Sequence, residues 1–152
     1  MKLEIDTEVL ARLGAYYAPF VLRVSLALVF LYFGISQLAH PETFVGWLPK
    51  EVSMIPISPR TFVALNGGFE TFFALMLMLG IIPRLSALLL GGHLLGITLT
   101  IGFTEIGVRD FGLAIATLVI VLTGAGPLRY DSLFGSSDDN YVDPIAPLLE
   151  KK

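Results

Sequence analysis

The sequence contains no cysteine, only two histidines and few charged residues, and each shortage excludes a class of function. Without cysteine the chain has no thiol–disulfide chemistry, no thiolate metal site and no cysteine-held iron–sulfur cluster. His40 and His93 lie at different predicted depths, so a haem held by both is excluded and no metal site is predicted. The net charge of −3 argues against nucleic acid as a partner.

Charged residues make up 15% of the chain, against about 25% in an average globular domain, and 55% of the residues are hydrophobic. Four hydrophobic runs each approach the ~20 residues that a helix needs to cross a bilayer. They cover about Pro19–Leu38, Thr61–Ile82, Leu85–Phe103 and Val108–Ala125. The runs are continuous rather than alternating, which excludes a β-barrel. We therefore expect an all-α integral membrane protein, a four-helix antiparallel bundle.

Shorter segments flank a predicted four-span domain over residues 19–131. The first segment, residues 1–18, places apolar and aromatic side chains on one helical face and is expected to be interfacial: Leu10, Leu13, Tyr16 and Tyr17. The connection over residues 39–60 holds Trp47 among prolines and charges, which indicates a second interfacial segment. Residues 132–152 form a polar, acidic tail. No signal peptide is recognisable, so the first span would be an uncleaved anchor.

Basic residues near the span ends predict the orientation. The side that holds both termini carries Lys2, Arg12, Arg23, Arg84, Arg129, Lys151 and Lys152, and the other side carries Lys50, Arg60 and Arg109. Because basic residues concentrate on the cytoplasmic side of membrane proteins, both termini are predicted to be cytoplasmic. The expected location is the inner, cytoplasmic membrane, which the chain would cross several times.

Ionisable side chains interrupt the predicted spans. Glu70 lies near the middle of the second run, where insertion of an acidic residue costs roughly 2.5–3.5 kcal/mol. His93 lies near the middle of the third run, so the two side chains share a predicted depth near the bilayer centre. Asn66 is one turn from Glu70 on the same helix face. Arg23 lies roughly 9 Å to the cytoplasmic side of the middle of the first run.

A second polar cluster is predicted at the outer ends of the first and fourth spans, formed by Gln37, Arg109 and Asp110. Together the polar residues suit a quinone headgroup, a proton relay or a polar ligand held between helices. The structural alternative is a buried ion pair between Glu70 and Arg23 that fixes the helix register. Separately, Arg23 could simply extend to the cytoplasmic headgroups, and His93 could only hydrogen-bond a neighbour.

Small residues recur at four-residue spacing in two spans. Gly92 with Gly96, and Gly112 with Ala116, form small-xxx-small pairs. Such pairs let helix backbones approach closely, and we expect them to pack within the bundle rather than between two copies of the chain.

The order of short motifs resembles that of the DoxX family of small four-span membrane proteins. The motifs are Arg23 followed by Phe33-Gly34 and a polar residue at Gln37; Asn66–Glu70; Leu79-Gly80; Pro83–Ala87; Arg109–Ala114; and Gly124–Leu128 followed by Asp131. The resemblance covers about Arg23–Asp131, most of the chain. The family often has a lysine where this chain has Gln37.

The resemblance implies a relationship to the membrane subunits of thiosulfate:quinone oxidoreductase and to members associated with sulfur-transfer and oxidative-stress proteins. The expected function is a membrane subunit of a redox complex that supports electron transfer to quinone, without an independent catalytic motif. Glu70 and His93 would then handle protons or the quinone carbonyl, while Arg23 and Arg109 hold anionic groups or fix the bundle.

Two other functions stay open from the sequence. One is a non-catalytic accessory or anchoring subunit of a larger membrane complex, which the small size of the chain favours. The other is a small transporter or lipid-binding protein, which the lack of an obvious inverted repeat disfavours. In every case the expected partners are the lipid bilayer and other membrane subunits, no cofactor is held covalently, and the expected ligand is quinone or lipid.

Overall fold

The computed structural model describes residues 7–49, 52, 54–124 and 126. Four long helices follow one another: α1 (Thr7–Ala39), α2 (Pro59–Leu79), α3 (Pro83–Ile101) and α4 (Glu105–Thr123). Two 3₁₀ turns, Pro41–Thr43 and Val45–Trp47, follow α1. Each long helix is long and apolar enough to cross a membrane. The all-α, four-span prediction is therefore confirmed.

The bundle has two ends, which we name by their connections. At the long-loop side α1 ends and α2 begins, with residues 40–58 between them. At the short-turn side α2 passes into α3 through Gly80–Ile82. The predicted tail over residues 132–152 and both chain termini lie outside the described residues. The cytoplasmic location of the termini stays a prediction.

Capping residues explain where two helices begin. The Ser58 hydroxyl accepts a hydrogen bond from the backbone N–H of Thr61 at 3.1 Å, so α2 starts before the predicted boundary. The Thr104 hydroxyl accepts from the backbone N–H of Gly107 at 3.0 Å, so α4 also starts early. Both hydroxyls stand just outside the hydrophobic runs, and for that reason hydrophobicity alone placed both starts too late.

The second and third predicted runs leave only Pro83-Arg84 as a link between them. The connection between α2 and α3 lies earlier in the chain. Gly80 ends α2 in the left-handed conformation, with φ of 73°, and Pro83 is the first residue of α3. Proline suits that position because the first helical N–H has no helical partner. Ile82, directly before it, has φ of 43°, which is strained for a β-branched residue. The link is therefore Gly80–Ile82.

Helix α1 joins the described part of the predicted N-terminal segment, from Thr7, to the first predicted span. The helix runs without a break through Pro19 and contains 33 residues. At 1.5 Å per residue it is about 50 Å long, well above the ~30 Å of a bilayer core. A proline inside a helix removes one backbone hydrogen bond, and here the helix continues past it. The location of its first residues in the headgroup layer stays a prediction.

The helices pack as two pairs. Helix α1 packs most closely on α2, and α3 on α4, while the α2–α3 and α1–α4 contacts that join the pairs are sparser. In the first pair, Gly34 and Gly67 lie against each other: a Cβ on Gly67 would stand 2.7 Å from the carbonyl oxygen of Gly34. In the second pair, a Cβ on Gly91 would stand 2.9 Å from the Leu118 side chain.

The glycines that make these contacts are not the predicted ones. Gly92, Gly96 and Gly112 have no neighbouring heavy atom within 4 Å of an added Cβ, so the small-xxx-small prediction of tight packing was wrong for them. The spacing places these residues on the outer faces of α3 and α4. Four-residue spacing does not reveal which face of a helix is turned toward its neighbours.

The buried apolar core lies on one side of the bundle centre. It is formed by Leu26, Ala27, Phe30, Leu31, Ala74, Leu77, Ala87, Leu90 and Ile120. Most large apolar side chains elsewhere on the helices are exposed, as expected for surfaces that face lipid.

Candidate functional site

Glu70 is the centre of a hydrogen-bonded cluster between α1 and α2. Its side chain is buried, and its Oε2 accepts a bond of 2.9 Å from the Nε2 of Gln37. Its Oε1 accepts a bond of 3.0 Å from the Nδ2 of Asn66. The same Asn66 nitrogen donates to the Oε1 of Gln37 at 2.7 Å. Both carboxylate oxygens therefore have an amide donor, which compensates the loss of water around a buried carboxylate.

The cluster forms because α1 and α2 approach closely at two glycines. A Cβ on Gly34 would stand 2.6 Å from the hydroxyl oxygen of Thr71, the residue after Glu70. A Cβ on Gly67 would stand 2.8 Å from the Cβ of Gln37. Hydrogen atoms at these positions let the helices come near enough for the Gln37 amide to reach the carboxylate. Asn66 adds the local contact, since residues four apart share a helix face.

His93 reaches the cluster from the second helix pair. Its Nε2 lies 3.6 Å from the Oε1 of Glu70, close enough for electrostatic coupling and too long for a good hydrogen bond. The side chain of His93 is 29% exposed, against 6% for Glu70. The imidazole also lies against Phe69, with the ring centres 5.0 Å apart. The equal depth predicted for Glu70 and His93 thus corresponds to a contact across α2 and α3.

The register of α1 against α2 places Glu70 near the end of α1. Within α2 the carboxylate is central, as predicted from the sequence. Its partner Gln37 is in the last turn of α1, which ends at Ala39. Helix α2 therefore extends beyond the end of α1 on the long-loop side, and Glu70 lies only about one turn below that end. The second hydrophobic run considered alone could not reveal this offset.

Arg23 is not part of the cluster. Fourteen residues separate it from Gln37 in α1, which corresponds to about 21 Å along the helix. Its side chain is fully buried, and its guanidinium lies 5.4 Å from the centre of the Phe20 ring. The alternative of a Glu70–Arg23 ion pair is therefore wrong, because the two residues lie on different levels. A fully buried Arg23 also does not extend to the headgroups.

The predicted outer cluster of Gln37, Arg109 and Asp110 divides into two. Gln37 joins Glu70, whereas Arg109 pairs with Asp110 through Nε and Nη2, each 2.9 Å from the same oxygen. Asp110 is buried, and the Arg109 side chain is 54% exposed. The Arg109 guanidinium lies 5.8 Å from the centre of the Phe33 ring in α1. This contact is a second polar link between the helix pairs.

Sequence reasoning missed the residues that shape the site without carrying charge. Phe69 contacts the imidazole, Phe33 supports Arg109, and Gly34 with Gly67 sets the helix distance. Gly34, one turn before Gln37, and Gly67, directly after Asn66, were a usable signal, since close approach of two helix backbones requires small residues. The aromatic residues gave no signal, because phenylalanine is common on lipid-facing surfaces.

The cluster can exchange a proton and bind a polar group. A carboxylate held by two amide donors lies next to an imidazole, a pair of groups that can each accept or donate a hydrogen bond. The imidazole is the more exposed of the two side chains. Among the described residues, no three His, Cys, Asp or Glu side chains are placed to hold a metal ion.

An open apolar groove of about 660 Å³ lies elsewhere, between α1 and the end of α4. Its lining includes Ala18, Leu22, Val119 and Thr123, and none of the cluster residues. The groove is at the short-turn side, so its volume has no bearing on the chemistry at Glu70.

Comparison with known proteins adds the family. No curated protein and no solved structure matches the chain. A family model described as DoxX matches residues 18–103, which is more than half of the chain. This range includes Gln37, Asn66, Glu70 and His93, while the likenesses noted at 109–114 and 124–131 lie beyond it. With four helices able to cross a membrane and this match, the chain belongs to the DoxX family of membrane proteins.

Proposed function

We propose that the chain is a membrane subunit of a redox complex and that the Glu70 cluster supports the reduction of a quinone. The observation that carries the proposal is the imidazole of His93, 29% exposed, which lies 3.6 Å from a buried carboxylate. A quinone headgroup needs a hydrogen-bond donor for a carbonyl oxygen and a nearby source of protons. His93 suits the first role and Glu70 the second.

The surroundings of His93 fit a ligand that arrives from the bilayer. The imidazole lies at the sparser contact between α2 and α3, not inside either tightly packed pair. Phe69 lies against it and Phe73 lies against Phe69, with ring centres 4.9 Å apart. These rings offer an aromatic surface to a planar headgroup. Lipid-soluble ligands can reach such a position laterally.

The roles of the residues follow from their contacts. Reduction of a bound quinone consumes two electrons and two protons. Glu70 holds a proton at Oε1, the oxygen that faces His93, and His93 carries a proton at the boundary between the cluster and the bilayer. Gln37 and Asn66 hold the carboxyl group in position by donating hydrogen bonds to it. The electrons come from another subunit, because no residue of the cluster is redox-active.

The test is quinone reduction by the intact complex with Glu70→Gln or His93→Ala in this subunit. We expect either change to lower the rate by 10²-fold or more, the usual contribution of a positioned acid or base. The chain offers matched controls, since Glu105→Gln and His40→Ala make the same changes at exposed positions. Normal rates in both cluster variants, with the complex assembled, would show that the site assignment is wrong.

A non-catalytic accessory or anchoring role is the second candidate, and α1 is the observation that favours it. Its N-terminal part exposes Leu10, Leu13 and Tyr17, although the helix is much longer than a bilayer core requires. An apolar surface there suits another subunit of a membrane complex. Under this role Leu10→Ser with Tyr17→Ser would release the chain from the larger assembly on native gels. Ala11→Ser, on a different face, would leave the assembly intact, and Glu70→Gln would leave the reaction rate unchanged.

A further inference from the structure

Most buried apolar residues of the bundle lie on the short-turn side of Glu70. On the short-turn side, the levels just beyond Glu70 and His93 are filled by the apolar core, among them Phe30, Ala74, Leu77 and Leu90. On the long-loop side, the buried side chains include polar ones on three helices, Gln37, Thr98 and Asp110, alongside the apolar Val52 and Val63. Asn66 is half-buried on that side.

The apolar layer is continuous across the helices. Along α2, Ala74 and Leu77 lie about 6 and 10 Å from Glu70 toward the short-turn side. Along α3, Leu90 and Ala87 lie about 4 and 9 Å from His93 in the same direction. All four are fully buried. The side chains of the layer itself offer water no polar partner.

Three buried polar residues lie on the short-turn side, and they do not bridge this layer. Thr117 donates its hydroxyl to the carbonyl oxygen of Leu113 in its own helix, at 2.7 Å. Ser86 is a single hydroxyl among apolar neighbours of the core on α3. Arg23 lies at the far edge of the layer, three residues before Leu26 and about 21 Å along α1 from the level of Gln37.

On the long-loop side, the end of α1 leaves a route for water and protons between the cluster and the aqueous surface. Gln37 is in the last turn of α1, so one of the four helices stops about one turn above the carboxylate. The chain beyond it turns through Pro41–Thr43, and the exposed His40 and Glu42 follow directly. Charged and polar groups therefore continue from the cluster to the aqueous surface of this side.

We propose that the Glu70 cluster exchanges protons and water with the long-loop side of the membrane only, as a half-channel closed by the apolar layer. The positions of the charged and titratable groups around the cluster are consistent with this direction: His93 in α3 lies beside Glu70, and the Arg109–Asp110 pair, which contacts Phe33 rather than Glu70, lies near the long-loop start of α4. Helix α1 contributes the neutral Gln37. The proposal rests on the proton-handling role of Glu70, and it adds the side from which protons come.

Single cysteines test the direction of access, because the natural chain has none and each variant carries one thiol. In α3, Thr98→Cys and Ala87→Cys form a matched pair: both positions are buried, eleven residues apart on one helix face, on either side of His93. In α2, Asn66→Cys and Ala74→Cys form the second pair. The full chain is reconstituted in vesicles, and a small membrane-impermeant thiosulfonate is applied from each side.

Exposed positions report the orientation of the vesicles. Glu42→Cys marks the long-loop side, and Gly14→Cys, which has no neighbouring atom within 4 Å of its Cβ position, marks the other end of α1. Every thiol must react after unfolding in detergent, which confirms that it is intact. Thr98→Cys keeps the Glu70 hydrogen bonds, so the α3 pair is informative even where Asn66→Cys perturbs the cluster.

We expect the thiols at 98 and 66 to react at least tenfold faster from the long-loop side than from the other side. The thiols at 87 and 74 should react from neither side. Reaction at 98 or 66 from the short-turn side, or at 87 or 74 from that side, would overturn the proposal. So would no reaction at 98 and 66 from either side, since the cluster would then be closed. These readouts do not involve quinone, so they can succeed where the proposed redox function fails.

Discussion

The two helix pairs are held together in different ways. In the α1–α2 pair, two glycines bring the backbones into contact, and three side chains then form a closed set of hydrogen bonds. In the α3–α4 pair, Gly91 packs against Leu118, and apolar contacts dominate. The second pair contributes a single residue to the cluster, His93, and at 3.6 Å it makes no hydrogen bond to Glu70.

This difference shows how a small membrane protein can bury a carboxylate and still leave it in contact with a more exposed side chain. The amide donors that compensate for the burial of Glu70 belong to the closely packed α1–α2 pair. The imidazole that can respond to a ligand or a proton comes from the other pair, across the sparser contact. We therefore expect changes within the first pair to affect stability, and changes at His93 to affect function.

The largest expected effect is that of Gly67→Ala. The new Cβ would meet the Gly34 carbonyl oxygen at 2.7 Å, and a backbone atom cannot rotate away, so the helices must separate. We expect a loss of about 3 kcal/mol in the free energy of unfolding, the upper part of the range for overpacking. Denaturant unfolding in detergent micelles measures it. Gly92→Ala, at an open position, should be neutral or slightly stabilising; equal losses for both would contradict the proposed helix contact.

Glu70→Leu should have the next largest effect. Gln37 would keep a buried donor without an acceptor, which costs about 1–3 kcal/mol, whereas Asn66 would keep its bond to Gln37; removal of a buried charge offsets part of the cost. We expect a net loss of about 1–2 kcal/mol in the same unfolding measurement, and less for Glu70→Gln, whose carbonyl oxygen still accepts. Glu42→Leu, at an exposed position, is the control and should change stability by less than about 0.5 kcal/mol.

His93→Phe should alter the free energy of unfolding by less than about 1 kcal/mol, because the ring keeps its contact with Phe69 and no hydrogen bond is lost.

Double-mutant cycles measure whether Glu70 is coupled more strongly within the α1–α2 pair or across to the α3–α4 pair. The coupling energy between Glu70 and Gln37 should exceed that between Glu70 and His93. A larger Glu70–His93 coupling would mean that the two pairs are held together at the cluster, against the arrangement described above.

The smallest expected effect is at the turn that joins the pairs. Ile82 has φ of 43°, a conformation that glycine adopts without strain. Ile82→Gly should therefore raise the melting temperature slightly, by the equivalent of about 0.5 kcal/mol. Ile81→Gly, one residue earlier and without positive φ, should lower it. If both variants lower the melting temperature equally, the strain at Ile82 is not significant.

The sequence predicted the helices well because each depends on local properties. Hydrophobic runs of membrane length located all four helices, and the i, i+4 spacing correctly joined Asn66 to Glu70. The errors concern relations between helices. The Gly92 and Gly96 spacing indicated a packing face that is open, and the Arg23–Glu70 pair required a register that α1 does not have.

The order of hydrophobic runs and short motifs was enough to identify an all-α membrane protein of the DoxX family, since bilayer thickness and backbone hydrogen bonding leave few alternatives for such runs. Which polar residues meet depends on how the helices pack against one another. The level of Gln37 against Glu70 depends on how far α1 slides along α2, and the contact of Gly34 with Gly67 sets that offset. Helix spacing within a sequence carries no information about such sliding, so the partner of the buried carboxylate could not be inferred from it.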